Sequence, residues 1–389
     1  MLTNIPEDGF IPPDDAYTYT DVTIRVKERR MLRAKVQTYV ESKGSEGGVE
    51  TGVTLNNGLG LAEQLNATFS YGSKSSGAAT LQATKPRFQG LPIRLGVVTG
   101  YSTSTRAIQS SYDEKIRKVE CSVKHMDGGH ELTAGTNWRD ILPVRNPDNL
   151  YEYAASGLIL SQAKPSLKNS ITYSYTYDKR NHMFGPSKGS YLRASTEVAA
   201  FGGDVQFSKS QLKVQQFWPI LENILPGSSI GASFQAGFLM PFSTKEVTEV
   251  GSSSSICDRF WLGGPLEFRG FSFKGAGPRT SPNKPGAKGG DSLGGDVTWS
   301  VGYSVSLPFP HPVLHDAGMR TQLFMNAGNL CAYETSFRSL ILGSRVSCGV
   351  GVVFPLAFGR LEANYSHILR ANSRDQEKRF QLGFGLDFM

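Results

Sequence analysis

No apolar stretch in this chain approaches the ~20 consecutive residues that a membrane-spanning helix requires, and the mean hydropathy is negative, −0.27. That excludes helical spans and leaves strands open, because in a strand only alternate residues meet lipid. Cysteine is scarce, four in 389 residues. Cys121, Cys257, Cys331 and Cys348 show no CxxC or zinc-like spacing, so free thiols are expected. Histidine is equally thin, six residues. His311 and His315 fall in a Pro-rich loop, His125 and His130 flank an Asp-Gly-Gly turn, and no cysteine is placed to join either pair. There is no phosphate loop, GxSxG elbow or HExxH, and Gly58-Leu59-Gly60 lacks the strand–helix context of a nucleotide site. The expectation is a protein that is not an enzyme and has no catalytic residue, cofactor or metal.

A single-sign patch is also missing. The net charge is +7, but the basic residues are dispersed and are not interleaved with aromatics, which argues against nucleic acid. A cation-biased lumen or contact with anionic lipid accounts for the excess equally well. Residues 1–20 carry Glu7, Asp8, Asp14 and Asp15 around no apolar core, so they read neither as a secretory signal nor as an Arg-rich presequence. A membrane barrel without a secretory signal points to an organelle.

What the chain does have is alternation. Leu65, Ala67, Phe69 and Tyr71 alternate with Gln64, Asn66, Thr68 and Ser70. Ile230, Ala232, Phe234, Ala236 and Phe238 interleave with small or polar neighbours. Trp299, Val301, Tyr303, Val305 and Leu307 repeat the scheme against Ser300, Gly302, Ser304 and Ser306. Glycine is abundant, 43 of 389 residues, above the usual ~7%, which suits many tight turns. Sixteen segments fit, from 33–42 through 203–217, 228–240, 295–307 and 319–327 to 379–388. The stretch 143–167 is ambiguous and could extend a hairpin. In a soluble barrel the apolar faces would point inward. Here the polar faces are rich in Ser, Thr, Gly, Gln and Asn, which suits a wet lumen with the apolar faces in lipid. Tyr71, Tyr177 and Tyr365 would then belong to the interfacial girdle. The fold class expected is all-β: a 16-stranded antiparallel transmembrane β-barrel.

Residues 241–294 break the rhythm with Pro241, Pro265, Pro278, Pro282 and Pro285. A loop this long in a compact domain is usually functional or disordered. It holds Phe260-Trp261-Leu262-Gly263-Gly264-Pro265-Leu266-Glu267-Phe268-Arg269-Gly270-Phe271. Arg269 is a fixed cation with five donors and needs acceptors if enclosed. Gly270 lets the backbone approach a wall, and Phe271 can pack the tip. Asp296 is the expected anion and Asn326 the second partner.

The Arg-Gly-aromatic tip resembles the signature of the bacterial surface antigen superfamily, membrane barrels whose loop folds back into the lumen. Further islands resemble its mitochondrial branch, the channel subunits of the sorting and assembly machinery. They are Asp178-Lys179-Arg180-Asn181, Gly202-Gly203-Asp204-Val205, Asp258 to Pro265, Leu293 to Asp296, and Phe324 to Cys331. Asn326 stands where bacterial relatives carry Asp.

The resemblance implies insertion and assembly of β-barrel precursors in the mitochondrial outer membrane, beside accessory subunits. It implies a lateral gate on the first strand, with Lys35, Val36, Gln37, Thr38 and Tyr39. It makes Gln381, Gly383, Leu386 and Phe388 a C-terminal β-signal, and residues 1–30 the remnant of a polypeptide-transport-associated domain before a barrel at 31–389. A passive outer-membrane pore and a plastid-envelope relative of the same barrel family are the alternatives.

Overall fold

The computed structural model describes Thr23, Arg25 and residues 30–41, 46–73, 76–126, 128–145, 154–220, 224–242, 254–281, 289–356 and 359–385. Most of the 1–30 segment, and with it the expected domain remnant, lies outside the described residues, as do Leu386 and Phe388. One antiparallel sheet of sixteen strands contains every named strand in sequence order. The first half comprises β1 (Leu32–Glu41), β2 (Glu46–Asn56), β3 (Gln64–Gly72), β4 (Gly77–Lys85), β5 (Ile93–Thr105), β6 (Tyr112–His125), β7 (His130–Pro143) and β8 (Ser166–Asp178). The second comprises β9 (Gly189–Ala199), β10 (Phe207–Pro219), β11 (Ser229–Pro241), β12 (Val297–Pro308), β13 (Arg320–Cys331), β14 (Arg345–Leu356), β15 (Gly359–Arg370) and β16 (Phe380–Gly385). Four short helices, α1 (Ala107–Ser110), α2 (Gly157–Ser161), α3 (Pro312–Asp316) and α4 (Phe337–Leu342), sit in the connections.

Each expected segment lies on one strand, with ends shifted by a few residues. The largest shifts, four residues each, are at 203–217, where the strand starts only at Phe207, and at 319–327, where it runs on to Cys331. Asp204 stays in the turn because its backbone and carboxylate both bond Leu167, at 2.8 and 2.7 Å. The ambiguous 143–167 stretch carries α2 instead of lengthening a hairpin.

Alternation decides the faces. On β15, Leu361, Tyr365 and Leu369 are exposed whereas Glu362, Asn364 and Ser366 are fully buried. Phe69 and Phe234 are likewise exposed, and Trp299 is half-buried, lining a cleft with Phe337 and Ile341 of α4. The apolar side chains point outward, as a membrane barrel requires. Tyr365 lies mid-strand and not at a strand end, so it belongs to the apolar band and not to the girdle.

The interior is not uniformly wet. Inward-facing Phe207, Leu239 and Leu330 pack with Phe260, Leu262, Phe268, Phe271 and Ala276 of the β11–β12 connection. A second cluster joins Tyr112 and Ile141 to Ile159, Ile256 and Leu293. Burying the four large loop side chains of the first cluster is worth on the order of 6–12 kcal/mol as an upper bound. That is enough to keep the loop inside.

With an even number of strands, both barrel termini emerge at one end and the β11–β12 connection at the other, here called the loop end. No ladder joins β1 to β16 among the described residues. The two strands come within 8 Å of one another, Cα to Cα, without pairing.

Candidate functional site

The β11–β12 connection enters the lumen at the loop end and crosses it. Gly264 N–H donates to Phe271 O at 3.0 Å and Phe268 N–H to Gly264 O at 3.2 Å, closing residues 264–271 into a compact tip. Phe268 and Phe271 stack with ring centres 5.3 Å apart. Gly270 has φ +94°, and a Cβ there would lie 3.0 Å from Ser347 Cβ. Any side chain at 270 would be strained in backbone and short of room.

Arg269 is 1% exposed. Its Nε and Nη2 donate to the two carboxylate oxygens of Glu362, each at 3.0 Å, a bidentate pair. The guanidinium lies 5.0 Å from the centre of the Phe324 ring, and its backbone oxygen accepts from Ser347 Oγ at 2.6 Å. Glu362 is shared: Asn364 Nδ2 donates to it at 2.8 Å and Arg360 Nε stands 2.6 Å away.

The expected anion for Arg269 therefore needs correcting from Asp296 to Glu362. Asp296 is at the base of the connection, just before β12, where its carboxylate accepts from Ser254 Oγ and from Tyr333 N–H. The tip instead reaches across to β15. Asn326, the other expected partner, is buried opposite Ser347 in register, but its side chain finds no hydrogen-bond partner among the described residues. Sequence did hold a signal for Glu362. It is the one carboxylate in 359–368, and it falls on the polar parity with Arg360 and Asn364.

The tip is also stitched to β16. The Gln381 side chain accepts from Gly270 N–H and donates to Phe271 O, both at 2.8 Å. Lys378 N–H donates to Gly270 O, Ser272 N–H to Gln376 O, and Gln376 N–H to Gly275 O, each at 2.9 Å. A Cβ at Gly383 would meet Pro265 Cβ at 2.8 Å, so the loop passes the last strand in close contact. Gln381 and Gly383, expected as parts of a terminal signal, are here the docking surface of the loop.

Three further anchors hold the connection. Arg345 grips Asp375 through Nε and Nη2 at 2.9 and 3.0 Å, and Gly277 N–H donates to the same carboxylate. Asp258 receives Arg139 Nη1 at 2.8 Å and Lys168 Nζ at 3.1 Å. Burial alone would push its carboxyl up, but Arg139 and Lys168 hold it below the ordinary range. Asp291 accepts from Ser111 Oγ at 2.6 Å and Ser156 N–H at 2.7 Å. These contacts tie the loop to β6–β8 on one side and β14–β16 on the other.

Lys274 is a costly group in the loop. It is buried at φ +57°, with Nζ 3.5 Å from the centre of a Trp261 ring. Burial, then repulsion from Arg106, pushes its amine down to about 7 from an ordinary 10.5. Between those values the unfolded chain binds more protons, so stability rises with pH across that window and is lowest below it. Lys274→Met should raise the thermal midpoint at pH 6, by on the order of a few kcal/mol of stability. The advantage should shrink toward pH 10, which melts of both chains at the two pH values would read.

Lys35, Val36 and Gln37 lie on β1, exposed or half-buried, with Gln37 Nε2 donating to Glu50 at 2.9 Å. Thr38 and Tyr39 follow in register with Val49 and Gly48. Among the described residues, their other edge carries no partner strand.

A sixteen-stranded outer-membrane β-barrel, its lumen crossed by an Arg-Gly-Phe loop bonded to the last strands, is the class that fold and site define. The chain belongs to the Omp85 superfamily, whose domain description matches residues 57–388. A SAM50-like protein of Schizosaccharomyces pombe is 33% identical over 95% of this chain and 74% of its own length. The human sorting and assembly machinery component 50 homolog is 32% identical over 95% and 75%. Among solved structures, BamA from Haemophilus ducreyi lacking POTRA domains 1–3 has a TM-score of 0.74 at 17% identity, covering 92% of this chain and 71% of its own. That likeness concerns the fold.

Proposed function

We propose that this protein assembles β-barrel precursors and inserts them into the mitochondrial outer membrane, working as the core of a complex with accessory subunits. The observation that carries the reading is the seam. Every strand from β1 to β16 pairs with its sequence neighbours, yet among the described residues the ring has no β1–β16 ladder. An unpaired edge presents N–H and C=O groups to any extended segment, whatever its side chains. One protein can thus serve many clients without reading their sequences.

The chemistry is hydrogen-bond exchange alone, with no covalent step and no cofactor, so the protein is not an enzyme. The client's last strand pairs with β1 around Lys35 to Tyr39, and hairpins follow. The loop tip holds Gln381 and Gly383 of β16, so the far side of the seam keeps its shape while the β1 side yields. Names of the relatives support the assembly role and the hetero-oligomeric setting. Residues 1–30 are read as part of a polypeptide-transport-associated domain ahead of a barrel at 31–389.

Proteoliposomes test this reading. Vesicles holding the protein should convert an added barrel precursor to a protease-resistant, heat-modifiable form well above empty vesicles. A steady open conductance with no gain in precursor insertion would favour the passive pore.

A further inference from the structure

Registers carry the outward face of each strand around the whole wall, and charge is almost absent from it. Between strand ends, the outward positions of the described strands carry cations only on β6, at Lys115 and Arg117. Lys85 and Arg370 are the last residues of their strands. Arg117 is in register with Tyr101 of β5 and Trp138 of β7, and Lys115 with Thr103 and Asp140. Tyr101 and Trp138 are exposed on the same outer face. Lys115, Arg117, Tyr101, Trp138 and Asp140 line one surface cleft of about 730 Å³ that runs on over Leu167. The side chains of Lys115 and Arg117 form no hydrogen bond or ion pair with any described residue.

An outward cation is expensive at mid-membrane and nearly free near the headgroups. Lys115 and Arg117 are three and five residues into β6 from the loop end. That is about 10 and 17 Å along the strand, and less along the membrane normal because barrel strands tilt. The row of Tyr101 and Trp138 marks the same level, since such rings settle at the interface. Long stems let both cations rise to the phosphate layer. Neither side chain forms an ion pair with the carboxylates around it, Asp140 across from Lys115, Asp113 two residues along β6 and Asp204 in the same cleft, so both head groups are open to a phosphodiester.

We propose that Lys115 and Arg117 form a phospholipid site on the outer wall, holding the phosphodiester of a membrane lipid between them. The guanidinium offers it a forked pair of donors and the ammonium a point charge. The acyl chains lie below, along exposed Val97 and Val119. A bound lipid here fixes the height of the barrel wall on the side away from the seam.

The test uses the purified full chain in detergent, titrated with dioleoyl phosphatidylglycerol or with dioleoylglycerol, which has the same chains and no phosphate. Native mass spectrometry should show retention of the phospholipid and not of the diglyceride. The double variant Lys115→Gln, Arg117→Gln should weaken retention by about tenfold or more, as loss of charge-assisted hydrogen bonds implies. Its heat-modifiable gel mobility reports that it is folded. A second measurement needs only the natural chain: the phospholipid should slow acetylation of Lys115 and leave Lys85 unchanged. Equal retention by both chains, equal retention of both lipids, or unprotected Lys115 would overturn the proposal. Protection of Lys115 by an acidic peptide but not by the phospholipid would also overturn it, and would make the cleft a protein contact.

Discussion

Removing the Glu362 charge should undock the loop tip and cut client assembly more than a hundredfold, while the barrel remains folded. Breaking a buried ion pair by deleting one partner costs ~3–5 kcal/mol, because the other charge is left without compensation. By the usual conversion of 1.4 kcal/mol per decade, the docking equilibrium constant falls by about two to three and a half orders of magnitude. The site predicts an asymmetry. Glu362 faces both Arg269 and Arg360, so Glu362→Gln takes from two buried guanidiniums the carboxylate they share. Arg269→Ala leaves Glu362 still compensated by Arg360 and by the Asn364 amide, so its effect should be large but smaller. The double replacement Arg269→Met, Glu362→Leu removes both charges and should recover part of the docking. Trypsin nicking within 254–281 reads docking, precursor insertion reads function, and gel mobility reads the fold. Normal insertion by Arg269→Ala would detach the loop tip from the mechanism.

Much of this was legible in the amino-acid order. Period-two alternation placed all sixteen strands, because lipid on one side and a polar lumen on the other demand it at every position. The Arg-Gly-Phe tip was legible for a different reason. A fixed cation and a glycine inside a long aperiodic loop make sense only against a wall. The partner of that cation was not legible. Asp296 is closer in sequence, yet the tip crosses the lumen to β15, and nothing local encodes a distance across a barrel. The parity of Glu362 offered a hint, as a carboxylate sharing a face with Arg360 and Asn364.

The partly dry lumen was also hidden. Phe207, Leu239 and Leu330 each sit on the face that alternation assigns to water, and only the loop packed over them explains why they are apolar. Gln381 had two meanings at once. It stands in the terminal strand pattern, and its side-chain amide also clamps the backbone on both sides of the Gly270–Phe271 peptide. That coupling between loop and last strand gives the seam one rigid side.

The most direct measurement of the account is a disulfide crosslink at the seam. In a chain with Cys121, Cys257, Cys331 and Cys348 replaced by serine, single cysteines at Lys35 and Val36 are paired with cysteines along a precursor's last strand during import. Strand pairing predicts register-specific adducts. Val36 should link to the client residues that face lipid, Lys35 to those that face the lumen, each set spaced by two residues. Matching cysteines on β8, whose two edges are already paired, should give none. Absence of adducts at both β1 positions, while precursors still insert, would contradict strand addition at this edge.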